Sequence, residues 1–286
     1  MNLKATWSLV RQTVEEFLED DALRLSAALA YYTLFSLAPL LLIAIAIAGE
    51  VAGDAAVRGQ LDGQLRSSLG PSGAFAVQEM VANARKPAEN LVMSAAGIVM
   101  LLVGAGGMFG ELQDALNTVW GVKRKPGRGI KGILKDRFLS FTMVLGTGFL
   151  LLVSMLLSTA LQSLTRYMGS IASLPPQLWE AINAAFSFGV VTILFAAIFK
   201  VLPDLKIRWK DVWAGGLFTS ALFVLGKTAM GWYLGRQATA SSYGSAGALA
   251  LVLIWIYYSS MILLLGAEFT QVLAKRRGSV ADPAAP

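Results

Sequence analysis

Six stretches of this chain are predominantly apolar over lengths that a surface helix or strand does not need. They are Leu25–Gly49, Leu91–Phe109, Phe138–Leu161, Trp179–Val201, Val212–Gly235 and Gly247–Ala274. A bilayer core about 30 Å thick takes about 20 apolar residues in a helix. Lipid cannot satisfy open backbone donors and acceptors, so runs of this kind predict helices. A barrel would show short alternating segments instead.

The segments between and before these runs carry patterns of their own. Trp7, Val10, Val14, Phe17 and Leu18 fall at helical spacing, which predicts an amphipathic helix over 3–22 lying along a membrane surface. Its acidic residues Glu15, Glu16, Glu19, Asp20 and Asp21 stand where a secretory signal would carry basic and then apolar ones. In the long segment 51–90, Val57, Leu61, Leu65 and Leu69 recur every four residues beside the ladder Arg58, Asp62 and Arg66. Gly70-Pro71 breaks that helix, and Phe75, Val77, Met80, Val81 and Ala84 predict a second one. The pair is expected to form a small cap on the outer face, with a gating lid as the alternative. Residues 275–286 read as a basic, then disordered, tail.

Lys and Arg set the orientation. Seventeen lie in the segments before the first run, after the second and fourth, and in the tail, against six in the other loops. Seven fall between Lys123 and Arg137 alone. The positive-inside rule therefore places both termini in the cytoplasm. The expected fold class is all-α. It is an integral membrane bundle of six transmembrane helices over residues 25–274, with a cytoplasmic amphipathic helix over 1–24 and a helical periplasmic cap over 51–90.

Composition agrees and removes whole classes of chemistry. Hydrophobic residues make up 56% and charged residues 15%, with a mean hydropathy of +0.61. Soluble domains sit near about 45–50% and about 25%. There is no Cys and no His, which excludes thiol nucleophiles, disulfides, Cys/His zinc sites and Ser-His-Asp triads within this chain. The net charge of +6 follows the topology. The basic loop lacks the interleaved aromatics of a nucleic-acid surface and suits anionic lipid head groups.

Four blocks resemble the YihY/virulence factor BrkB family of bacterial inner-membrane proteins: Ala28–Ile43, Ala115–Val122, Leu202–Val212 and Tyr243–Val272. Their order and spacing extend the resemblance over roughly residues 10–275. It implies a six-span protein of the bacterial inner membrane, for which transport is the usual suggestion.

Several residues stand out as candidates for function. Lys227 is the one basic residue in the interior of a run, away from its ends, and a Lys in lipid costs at least about 2.5–3.5 kcal/mol on insertion scales. Pointed into the bundle, it would suit an anionic solute or a lipid phosphate; snorkelling past Trp232 and Tyr233 is the alternative. Pro39 removes a mid-membrane hydrogen bond and leaves the Phe35 carbonyl free, by a kink or local unwinding. Tyr31 and Tyr32 in the first run and Tyr257 and Tyr258 in the last join them as candidate substrate contacts. Glu111, Asp114 and Glu268 fall at the inner boundary. They read either as an interfacial salt-bridge ring with Arg24 and Lys200 or as a proton or cation site. Gly106 and Gly110, and again Gly231 and Gly235, form small faces for close helix packing or for a homo-oligomer.

No nucleotide-binding motif is present, and Ser220 lies two turns from Lys227, so neither an ATPase nor a Ser–Lys hydrolase is expected. The chain reads as a non-enzyme without cofactor or metal that moves a solute or a lipid across the membrane. An envelope factor that organises lipids or partner proteins is the alternative.

Overall fold

The computed structural model describes residues 3–84, 107–122, 176–237 and 244–279. The predicted run Phe138–Leu161, nearly all of Leu91–Phe109, the basic loop from Lys123 to Arg137 and the end of the tail lie outside the described residues. All regular structure among the described residues is helical. In chain order it comprises α1 (Leu3–Glu19), α2 (Ala22–Ala52), α3 (Asp54–Ala84), α4 (107–119), α5 (Pro176–Val201), α6 (Trp209–Gln237) and α7 (Gly244–Arg276). Within them, Ala184–Val201, Trp209–Ala229 and Gly247–Arg276 are long and apolar enough to cross a membrane.

α1 is amphipathic twice over. Leu9, Thr13 and Phe17, spaced by four, are buried, and α1 packs on α7 and α2. Trp7, Val10, Val14 and Leu18 stay exposed on the other side. The predicted apolar stripe is thus split: Phe17 joins the core, and the rest is left for an apolar surface outside the chain. Asp21, in the left-handed conformation at φ 52°, turns the chain into α2.

α2 spans 31 residues, about 46 Å. It runs unbroken past Pro39, so no local unwinding occurs there. The Ser36 hydroxyl donates to the Tyr32 carbonyl at 2.6 Å in the turn preceding the proline.

α3 is not a straight helix. Gly70 has φ 70° and ψ 176°, the break expected at Gly70-Pro71. The chain reverses there, because the Gln78 amide donates to the Asp62 carboxylate. Each residue lies eight positions from Gly70, and a straight helix would hold them about 24 Å apart. The two arms therefore form an antiparallel hairpin.

The tip of this hairpin does not rest on the surface as the predicted cap would. Leu69 and Val77 are buried with Val252 and Trp255 of α7, against Leu34 and Leu37 of α2 and Phe223 of α6. Leu37 lies about 22 Å along α2 and Phe223 about 21 Å along α6, so the tip reaches well into the bundle. The arms' charges can follow because they pair with one another. Arg66 donates to both Asp62 oxygens at 2.8 Å.

The largest core lies at the opposite end, which we call the α1 pole. Phe17, Leu29, Leu116, Phe199, Ile207, Val212 and Leu264 meet there from all the helices except α3. α6 and α7 cross closely through a reciprocal arrangement. Thr270 fills the space over Gly215, and Thr219 fills the space over Gly266. Gly226 likewise faces the Tyr258 ring. The tight contact thus falls on Gly215, Gly226 and Gly266. Gly110, expected on a packing face, has no described atom within 4 Å of its Cβ position.

Candidate functional site

Two polar features stand apart from the apolar packing, one at each end of the bundle. At the α1 pole, α4 ends in a Schellman turn at Gly121 (φ 62°), with Val122 N–H on the Asn117 carbonyl at 2.8 Å and Gly121 N–H on Thr118 at 2.9 Å. This ending aims the buried Asn117 side chain at the segment joining α5 to α6. Its carboxamide accepts from the Asp204 N–H at 2.9 Å and donates to the Asp204 carboxylate at 3.1 Å. Gln271 of α7 donates to the Val119 carbonyl at 2.7 Å, tying α7 to the same end of α4. Arg277 donates to Asp211 at 2.9 Å, and Asp211 is 1% exposed in the first turn of α6.

Glu268 lies in the middle of this pole and is 0% exposed. Among the described residues, neither of its carboxylate oxygens has a hydrogen-bond partner. Asp20, in the link between α1 and α2, is near it. Glu16 is near, and Lys275 reaches Glu16 at 3.6 Å. Burial raises Asp20 above the ordinary carboxylate range. The neighbouring Glu268 opposes that rise, Glu16 adds to it, and Lys275 opposes it again.

The predicted ring around Glu268 is built from other residues. Arg24 pairs with Asp21 at 3.4 Å, and both are exposed. Lys200 donates to the Ile207 carbonyl and stands 5.6 Å from the Trp209 ring centre. Glu111 and Asp114 sit on α4, half-buried, each engaged with a neighbour. Asp20 escaped the sequence reading, because its closeness to Glu268 depends on how α1 folds back onto α7.

At the other end, a cavity of about 450 Å³ opens between α2 and the hairpin. Leu41, Ile45, Leu65 and Val81 give it apolar walls, and Arg58, Asp62 and Gln78 supply polar groups. The predicted substrate contacts do not gather around it. Tyr31 and Tyr32 are 60% and 42% exposed, and Tyr31 packs against Phe35 with ring centres 4.8 Å apart and planes tilted by 55°. Tyr258 is half-buried against Gly226 and Trp255, and Tyr257 is half-buried beside it. The Pro39 side chain lies outside the described residues. Lys227 is half-buried, one turn beyond Phe223 and on the same side of α6. It forms no hydrogen bond or ion pair with a described residue. Among the described residues there is also no acidic cluster suited to a metal ion.

The family model described as virulence factor BrkB matches residues 13–286. The chain belongs to the BrkB family. It is 31% identical to a UPF0761 membrane protein of Alkalilimnicola ehrlichii, covering 91% of this chain and 57% of the relative. It is also 31% identical to a UPF0761 membrane protein of Verminephrobacter eiseniae, covering 96% of this chain and 66% of the relative. A third, from Methylibium petroleiphilum, is 31% identical over 91% of this chain and 61% of its own length. The chain thus spans about three fifths of the curated relatives it matches. No solved structure matches it.

In this BrkB-family membrane protein, the sequence blocks that carry the resemblance are drawn together at one place. Asn117 comes from the second block, Asp204 and Asp211 from the third, and Glu268 and Gln271 from the fourth. Asn117 bonds Asp204 and Gln271 bonds the Val119 carbonyl, so the second block is tied to the third and to the fourth across the α1 pole.

Proposed function

We propose that this protein carries a solute or a lipid across the bacterial inner membrane, as a six-span bundle with both termini in the cytoplasm and no nucleotide hydrolysis of its own. The observation that supports the reading is the α3 hairpin. Its non-helical turn at Gly70 lies deep within the bundle, among α2, α6 and α7. Interrupted backbone at membrane depth is tolerated where it is buried in protein or lines a water-filled cavity. In transporters such interruptions mark the substrate path. The cavity beside the hairpin, with Arg58, Asp62 and Gln78 on an apolar wall, suits a substrate with both a polar and an apolar part. Lys227, without a partner among the described residues, favours an anionic solute or head group.

Flux into proteoliposomes, with labelled lipids and small ions run in parallel, tests the reading. The wild-type protein moves one of these classes. Gly70→Val, which forces a β-branched residue to φ 70°, inserts but loses that flux. Absence of flux for every class tested favours the envelope-organising alternative.

A further inference from the structure

We propose that the link between α5 and α6 binds the head group of an anionic phospholipid, with Lys206, Arg208 and Lys210 on the phosphate and Trp209 and Trp213 beside the upper acyl chains. α5 and α6 each hold a stretch long and apolar enough to cross a membrane, and only residues 202–208 separate the two helices. The link therefore turns at a membrane edge. Segment 200–211 carries four basic residues and two acidic ones. Burial alternates along it. Ile207 is 2% exposed and anchors the link in the core, while Lys206 and Arg208 on either side of it stay exposed. Lys210, in the first turn of α6, is exposed as well.

The protein engages the acidic residues of this segment and leaves three of its cations over. Asp204 is bonded by Asn117, and Asp211 by Arg277 at 2.9 Å. Lys200 is committed to the Ile207 carbonyl and to the Trp209 ring. The side chains of Lys206, Arg208 and Lys210 form no hydrogen bond or ion pair with a described residue. The bonds at Asp204 and Ile207 also hold the link in one shape, so little backbone freedom is lost when a ligand binds the three cations.

The surface next to the cations identifies the ligand as a lipid. Trp209, Trp213 and Leu217 are exposed and recur every four residues, which makes one stripe running from the link about 12 Å into the span. Indole rings favour the depth of the head groups, where their apolar body and polar N–H are both accommodated. Lys200 over the Trp209 ring holds that indole in place. Cations at the end of such a stripe stand at phosphate depth, and basic residues there attract anionic lipid. An acidic protein would match the cations but not an apolar stripe within a span. Neither the hairpin cavity nor Lys227 takes part, so the site does not rest on the transport reading.

The chain has no Cys, so a single fluorophore can be attached through Val201→Cys, at the exposed end of α5 beside the link. The full-length protein is placed in nanodiscs of mixed phosphatidylcholine and phosphatidylglycerol, with a nitroxide high on the acyl chain of one lipid or the other. The ratio of the two quenching efficiencies gives the lipid composition around the link. Phosphatidylglycerol should be enriched over its bulk fraction, and less so at high salt. Each cation should contribute up to about fivefold. Joint Lys206→Gln, Arg208→Gln and Lys210→Gln should abolish the enrichment while quenching by phosphatidylcholine persists, which shows that the label still sits in the bilayer. Lys206→Gln alone should lower it by up to about fivefold, which keeps the test valid if the triple variant fails to insert. An unenriched wild type overturns the site and leaves the cations to an acidic protein partner. Enrichment that survives the triple substitution overturns it too, as does an equal loss from Lys123→Gln, Arg124→Gln and Lys125→Gln, which would place the attraction in the basic loop. Absence of flux with the enrichment intact would instead overturn the transport reading.

Discussion

Gly215 is where the α6–α7 crossing can be tested most directly. Thr270 is fully buried, and its hydroxyl is held on the Gly266 carbonyl at 2.6 Å, so its rotamer cannot swing aside freely. Thr219 mirrors it, donating to the Gly215 carbonyl at 2.7 Å. A methyl group at Gly215 would lie 2.9 Å from Thr270 Cβ and 3.3 Å from Cγ2, and would overlap Oγ1. Carbon atoms prefer about 3.5–4.0 Å, so the helices must separate or the threonine must give up its bond. Overpacking of this kind costs about 1–3 kcal/mol. Helix propensity acts the other way, because Ala in a helix interior is favoured over Gly by about 0.5–1 kcal/mol. Gly215→Ala should therefore destabilise the fold by about 1–2 kcal/mol. Gly189→Ala in α5, where no described atom lies within 4 Å, should stabilise it slightly. Unfolding by SDS in mixed micelles, followed by circular dichroism, gives both values. The Gly215 penalty should vanish in a double-mutant cycle with Thr270→Gly. If Gly215→Ala matches Gly189→Ala, the close crossing does not exist.

Two further outcomes are expected. Lys227→Met should insert normally and lose binding or transport of anionic substrates, with Lys227→Arg keeping part of it. Flux assays and anion titrations check this, and undiminished activity in Lys227→Met removes the cationic site. Asn117→Ala should cost about 1–3 kcal/mol, because the Asp204 N–H loses its acceptor and the Asp204 carboxylate its closest donor. Asn117→Asp should be worse, because it sets a second carboxylate against Asp204 in place of the amide donor; thermal unfolding measures both.

The helices were legible in the sequence wherever burial and lipid demand the same residues. The runs Trp179–Val201, Val212–Gly235 and Gly247–Ala274 each fall inside an observed helix, which starts three residues earlier with a turn of less apolar residues. Polar first turns such as Trp209-Lys210-Asp211 carry no apolar signal, yet they complete the helix. The break at Gly70-Pro71 was legible too, since both residues oppose a continuous helix. The depth of the hairpin was not. Arg58, Asp62 and Arg66 mark its first arm as a surface helix, and periodicity cannot show that Asp62 will be matched by Gln78 from the other arm. For the same reason Glu268 could be singled out but not its neighbour Asp20. Arg24 and Lys200 reach a similar depth on their own helices, yet Asp21 and the Ile207 carbonyl engage them first.

The two ends of the bundle differ in how they would resist motion. At the α1 pole, side chains from distant parts of the chain bond each other directly: Asn117 with Asp204, Gln271 with Val119, and Arg277 with Asp211. Shifting any one helix there breaks buried bonds in its neighbours, and each broken bond costs the desolvation of the groups it leaves behind. The hairpin tip instead meets its neighbours through apolar side chains. Asp62 is satisfied by Arg66 and Gln78 within α3, while α2, α6 and α7 meet the tip through apolar contacts. Apolar contacts have no fixed direction, so the tip can slide against its neighbours without breaking the bonds of Asp62. A movable element on a rigid frame is therefore expected at the end that holds the cavity, and the frame is clamped at the α1 pole.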